Sequence, residues 1–173
     1  MAAPTTETVT VTRPTSVVKG TPGGGGLLPS AKTACKPTDA THGGDYEPND
    51  DKQHPFGPLT ANQTYGRGAI DTSNDEDWFV FCTTGRQQLT ADFTPENDTE
   101  EGCYTITAYL DDADGNEVGD GETSPDTNET GHMTYTAPGA GRYFVKVDGG
   151  SAGCRYALQV NSDHPFTATV PQS

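Results

Sequence analysis

The chain has 173 residues, of which 31% are hydrophobic, and it carries a formal net charge of −15 at pH 7. That length allows one domain with a tail or linker, and that charge excludes nucleic acid phosphates and anionic lipid as natural partners. No run approaches the ~18 apolar residues of a membrane-spanning helix, so direct membrane insertion is not expected.

Residues 1–44 hold four basic and two acidic residues, a net of +2, whereas the remainder holds six and 23, a net of −17. The first part is rich in Thr, Pro and Gly, including the run Gly23 to Gly26. Such a segment buries too little apolar surface to offset its ordering entropy, so residues 1–44 read as a disordered, flexible spacer. The first residues lack the basic start and apolar run of a signal peptide. An export signal or membrane anchor is therefore expected outside this stretch.

Two acidic clusters follow. The first is Glu47-Pro48-Asn49-Asp50-Asp51 and the second Asp71-Thr72-Ser73-Asn74-Asp75-Glu76-Asp77. Calcium takes six to eight oxygen ligands, more than one short loop supplies, but two loops brought together can supply them. Asp75 and Asp77 alternate with Glu76, so both point one way if a strand begins there.

From residue 45 onward the apolar pattern has period two. Phe79 and Phe81 alternate with Trp78 and Val80. Leu89, Ala91 and Phe93 alternate with Gln88, Thr90 and Asp92. Tyr104, Ile106, Ala108 and Leu110 form a third such run, Tyr143, Val145 and Val147 a fourth, and Tyr156, Leu158 and Val160 a fifth. Weaker strands are expected over Thr64 to Ile70 and His132 to Ala137. About seven short strands bounded by Gly, Asn and Asp predict an all-β fold, a single antiparallel β-sandwich over residues 45–162 with a tail over 163–173.

Asp114-Gly115-Asn116 has hairpin-turn chemistry, and Asp148 to Gly153 reads as a second hairpin joining the last two strong strands. The acidic, Thr-rich stretch Glu117 to Thr130 reads as a long mobile loop. The run Asp111 to Glu117 has alternating acids but not the spacing of an EF-hand, so it is expected to be a turn.

Four cysteines, Cys35, Cys82, Cys103 and Cys154, include no CxxC pair, so a zinc ribbon is not expected. Two disulfides in an oxidising compartment fit best, which predicts a secreted or extracellular protein. Four cysteines allow three connectivities. Cys103 with Cys154 and Cys35 with Cys82 is preferred, because Cys103 and Cys154 both follow Gly at strand starts.

Catalytic chemistry finds no footing. Gly149 to Gly153 matches G-x-S-x-G, but the nucleophile elbow needs a helix after it, and a strand follows instead. The four histidines, His42, His54, His132 and His164, lie in polar stretches without an HExxH motif. Tyr65, Tyr109, Tyr135 and Phe144 sit opposite the apolar positions of their strands and are candidates for a binding face for an extracellular protein or polysaccharide.

Certain motifs taken in order resemble the bacterial pre-peptidase C-terminal domain family. They are Glu47-Pro48-Asn49-Asp50-Asp51, then Gly66-Arg67-Gly68-Ala69-Ile70-Asp71, then Asp75-Glu76-Asp77-Trp78-Phe79-Val80-Phe81. The closing runs Gly141 to Val147 and Tyr156 to Val160 match as well, so the resemblance spans roughly Tyr46 to Val160. It is similar in pattern to the collagen-binding domains of clostridial collagenases. The resemblance implies a jelly-roll-like sandwich that catalyses nothing and is appended to exported proteins. It also implies calcium held between the first acidic segment and the turn before the aromatic strand. By position, Glu47, Asn49, Asp50 and Asp77 match, and Asp71 and Asp75 are near matches. Asn74 stands where an acid is expected, which leaves the number of ions open, and the cysteines are outside the family pattern. The expected function is that of a monomeric, calcium-stabilised accessory or binding module. The rival is the extracellular sensor domain of a membrane-anchored signalling protein.

Overall fold

The computed structural model describes Cys35 and residues 45–96, 106–119, 122–123, 129–149 and 152–168. Eight strands occur among them: β1 (Thr64–Ile70), β2 (Glu76–Thr83), β3 (Gln87–Glu96), β4 (Thr107–Asp112), β5 (Glu122–Thr123), β6 (Gly131–Ala137), β7 (Gly141–Asp148) and β8 (Cys154–Ser162). They form two four-stranded sheets, ordered β1-β8-β3-β6 and β2-β7-β4-β5, with every pairing antiparallel. Apart from β4 and β5, consecutive strands lie in opposite sheets, the arrangement of a jelly roll.

Period-two alternation explains the core. Phe79 and Phe81 of β2, Leu110 of β4 and Val145 and Val147 of β7 point inward. They meet Leu89, Ala91 and Phe93 of β3 and Tyr156, Leu158 and Val160 of β8, and all of these are buried. Each such large side chain contributes roughly 1.5–3 kcal/mol of burial free energy. Gly68 has a specific part in this packing. A Cβ there would lie 2.5 Å from Cζ of Tyr156, so the ring of Tyr156 occupies the space a side chain would take. The β1–β8 register shifts between Tyr65 and Gly68, with Arg67 between them at φ 72°.

Several expectations are corrected. Asp148 to Gly153 does not join a hairpin, because β7 and β8 lie in different sheets. A glycine-rich connection of this length spans the ~10 Å between packed sheets, and strand periodicity carries no information about which sheet a strand joins. Glu122–Thr123 adds a strand inside the stretch expected to be all loop, paired to Thr107 and Ala108 of β4. A two-residue polar strand has no apolar alternation to announce it. The C-terminal tail is packed as far as it is described. Phe166 stacks on Phe81 with ring centroids 4.6 Å apart, and the Thr167 amide donates to the Cys82 carbonyl at 3.1 Å.

The four aromatic candidates do not form a binding row. Tyr65 and Phe144 are buried, and Tyr109 and Tyr135 are half-buried in different sheets. The reason lies in residues 45–59, here called the strap, which run along the free edge of β2. The Phe56 amide donates to the Trp78 carbonyl, the Val80 amide to the Phe56 carbonyl and the Leu59 amide to the Val80 carbonyl, each at 2.8 Å. Tyr65 is enclosed by Tyr46 and Phe56 of this strap, with ring centroids at 6.1 and 5.8 Å. On the outer face of the same sheet Trp78, Val80, Cys82, Phe144 and Cys35 make a second small buried cluster. Lys52 Nζ and the Arg142 guanidinium each lie 4.5 Å from the Phe144 ring centroid. Both faces of β2 are therefore dry.

Cys35 is bonded to Cys82 of β2. The rest of the expected spacer, residues 1–34 and 36–44, lies outside the described residues. So does Cys103, and with it the expected Cys103–Cys154 pair.

Candidate metal centre

The strap and the start of β2 meet at a knot of oxygen atoms. Tyr46 fixes the entrance to it, because its hydroxyl donates to the Gly66 carbonyl at 2.6 Å and its ring packs on Phe56 at 4.6 Å. The next residue, Glu47, thereby faces β2. Two residues on, the Asn49 carbonyl accepts the Trp78 amide at 2.8 Å. That bond places the Asn49 side chain beside Asp77, and Asn49 is fully buried.

The second half comes from the turn before β2. The Asp71 amide donates to Asp75 Oδ2 at 2.6 Å and the Asp75 amide donates to the Thr72 carbonyl at 3.2 Å. This closes the turn and sends Asp75 inward. Strand alternation then brings Asp77 to the same side, while Glu76 turns away to accept from Trp78 Nε1 at 3.1 Å. The result is a set of three carboxylates, Glu47, Asp75 and Asp77, with one oxygen of each within 4.8 Å of the others.

The environment disfavours three charges at such spacing. Burial pushes the Asp77 carboxyl up to about 8, with the nearby charges of Asp75, Glu47 and Asp50 adding to it. Burial likewise raises Glu47 to about 7, helped by Asp50 and Asp75. Asp75 is raised by burial and then by Asp50 and Asp71. The charges that act most strongly on these three are therefore all negative, and a cation is what the cluster lacks.

Asn49 sharpens the chemistry. Its amide oxygen faces Glu47 Oε1, Glu47 Oε2 and Asp77 Oδ1. Only a half-turn of the amide would replace that oxygen with a nitrogen able to donate to all three at 3.1 Å. Hydrogen bonding without an ion favours the nitrogen inward, whereas an oxygen turned toward Glu47 and Asp77 would add to the oxygen donors of a hard divalent cation. With the nitrogen inward, the amide holds the carboxylates without an ion.

The structure thus gathers Glu47, Asn49, Asp75 and Asp77. Asp50 and Asp71 are exposed and stand at the rim, where Asp50 acts through its charge and a side-chain hydrogen bond with Glu47, and Asp71 through its charge and its backbone amide. One residue escaped the reading of the sequence. Tyr156 of β8, buried in the opposite sheet, donates its hydroxyl to Asp77 Oδ2. The available signal was a tyrosine at an inward strand position, since a buried phenol needs a partner.

The other acidic run behaves differently. Asp112 Oδ1 accepts the amides of Asp114 and Asn116 at 2.8 and 3.0 Å, and its Oδ2 accepts Asn116 Nδ2 at 2.9 Å. This is a self-capped turn, as expected from Asp114-Gly115-Asn116. Of the G-x-S-x-G run, Ser151 lies outside the described residues. His54 and His132 sit on exposed surface beside Asp51 and Asp92 at 2.9 and 2.7 Å.

No family model matches the sequence, and no curated protein matches it. Among solved structures, the chain is similar to the pre-peptidase C-terminal domain of collagenase from Bacillus anthracis. The match has 17% identity and a TM-score of 0.44, and it covers 58% of this chain and 90% of that one. That is the family which the motifs resemble. The chain is also similar to the infectious bursal disease virus VP2 subviral particle (12% identity, TM-score 0.29), covering 62% of this chain and 35% of that one. A family two carbohydrate esterase from Cellvibrio japonicus matches at 14% identity and a TM-score of 0.29, covering 66% of this chain and 37% of that one. The chain spans little more than a third of the length of these last two.

Proposed function

We propose that this chain is a non-catalytic jelly-roll module of an exported protein, in which a calcium ion locks the N-terminal strap onto the sandwich. The observation that carries the reading is the convergence of Glu47 and Asn49 from the strap with Asp75 and Asp77 from the other side of the site. A donor set of three carboxylates and one amide, without His or Cys, suits calcium better than zinc. The ion would offset the mutual repulsion of the carboxylates and so set the direction in which the chain enters the domain. The bonded Cys35–Cys82 pair supports an oxidising, extracytoplasmic setting. Among the described residues no helix is long and apolar enough to cross a membrane. An extracellular protein or polysaccharide is the partner class that such an accessory module would serve.

The test is a thermal melt of the full chain in calcium and in chelator. The reading expects a higher melting temperature in calcium, and a melting temperature indifferent to both would end it.

A further inference from the structure

The strap and Cys35, ten residues before it, are held to β2 at two places far apart along that strand. At one end Glu47 and Asn49 join Asp75 and Asp77. At the other end Cys35, fully buried, is bonded to Cys82. Four residues of β2 lie between Asp77 and Cys82, five strand steps or roughly 17 Å. Between the two anchors the strap carbonyls of Asn49 and Phe56 accept from the Trp78 and Val80 amides of β2, and the strap amides of Phe56 and Leu59 donate to the Trp78 and Val80 carbonyls. The two anchors therefore tie the strap, and a cysteine ten residues before it in the chain, to one strand.

We infer that the Cys35–Cys82 bridge sets the cation affinity of the centre, so that oxidation of this pair and calcium binding promote each other. This inference rests on the calcium reading above and adds its regulation. The physical basis is the population of the docked strap. Glu47 and Asn49 are in place only while the strap lies on β2, and apparent affinity falls with the fraction of molecules in that competent state. Without the bridge, the chain before Asn49 has one fewer tie to the sandwich, and peeling from β2 gains more chain entropy. With the bridge, the same chain is a closed loop between Cys82 and the Asn49–Trp78 bond, and peeling gains less.

The experiment is a calcium titration by calorimetry on the oxidised full chain and on the double variant Cys35→Ser, Cys82→Ser. The expected result is at least a fivefold weaker Kd in the variant, the lower end of ordinary site-to-site coupling. A variant that binds calcium as tightly as the parent overturns the coupling and leaves the calcium reading intact. A parent that binds no calcium overturns both. Should the double variant fail to fold, the reciprocal measurement decides on the parent chain. Calcium should raise, by the same factor, the dithiol concentration needed to open the Cys35–Cys82 bond, read by alkylation and peptide mapping at those two cysteines. A reduction midpoint that does not move with calcium overturns the coupling.

Discussion

Two acidic regions of this molecule hold their central carboxylates in opposite ways, at Asp112 and at Asp77, although Asp111 beside the first is itself raised by burial. In the turn Asp111 to Glu117, burial pushes the Asp112 carboxyl up, but amide donors from Asn116, Asp114 and Gly115 outweigh it, and the group ends below its ordinary range. In the strap centre Asp77 and Glu47 are pushed up to about 8 and about 7. The number of acids does not distinguish the two. What differs is where the donors come from. Asp112 is capped by the backbone of its own turn, whereas the centre draws its groups from the strap, the turn before β2 and β8. Its carboxylates are buried before their charges are balanced. A local turn satisfies its own charge, and a site assembled from distant segments leaves charge for a ligand to satisfy.

The largest expected effect separates the two regions by calcium. At a hundredfold excess over Kd, a ligand that binds only the folded state adds about 2.7 kcal/mol, or about 10 °C in Tm for a domain of this size. Asp77→Asn should abolish that shift. It should leave Tm in chelator near the parent value at pH 7, because the amide imitates the protonated carboxyl that the buried site favours. A large loss of Tm in chelator would mean that Asp77 works as a charge without a cation.

The next effect is on pH and has a defined sign. Unfolded Asp and Glu titrate near 4, while folded Glu47 and Asp77 titrate at about 7 and about 8. Between these values the folded chain holds protons that the unfolded chain has released. Their contribution is therefore complete below about pH 4 and is lost as pH rises to about 8. In chelator, Tm should fall across pH 5 to 8 by at least about 5 °C. Calcium needs the ionised groups, so its own stabilisation should grow over the same interval. Parallel Tm curves with and without calcium would contradict this.

The smallest effect is that of the control region. Asp112→Ala removes the acceptor for three donors in the hairpin turn and should cost about 1 kcal/mol, or about 4 °C. The calcium response should be unchanged. A weakened response would place the two regions in one electrostatic unit and erase the difference between them.

Much of this architecture was legible from the order of residues, for a physical reason. A strand buried on one face writes its burial into every second residue, as in Leu89, Ala91 and Phe93 or Tyr156, Leu158 and Val160. The same alternation placed Asp75 and Asp77 on one side. Where cover comes from an irregular segment, the rule fails. Trp78, Val80 and Phe144 occupy the outward positions of their strands and are buried all the same. Their cover includes Lys52 and the Cys35 bridge, and neither has a period. The strap hides its own contribution likewise. Asn49 is buried and its neighbour Asp50 exposed, and no repeating pattern tells neighbours in an irregular segment apart. The part of Tyr156 depends on β8 facing β2 across the sandwich, a relation of topology that a single strand cannot show.

Hydrogen exchange at the Trp78 amide is the most direct measurement of the central claim, that a cation fastens the strap to β2. This amide reaches across to the Asn49 carbonyl at 2.8 Å, so it is protected only while the strap is docked. Calcium should slow its exchange, and that of the Phe56 amide, by about tenfold or more relative to chelator. The amides of Asp114 and Asn116 in the hairpin turn should exchange alike in both conditions. If Trp78 exchanges at the same rate with and without calcium while the protein remains folded, the strap is not fastened by a cation and the account is wrong.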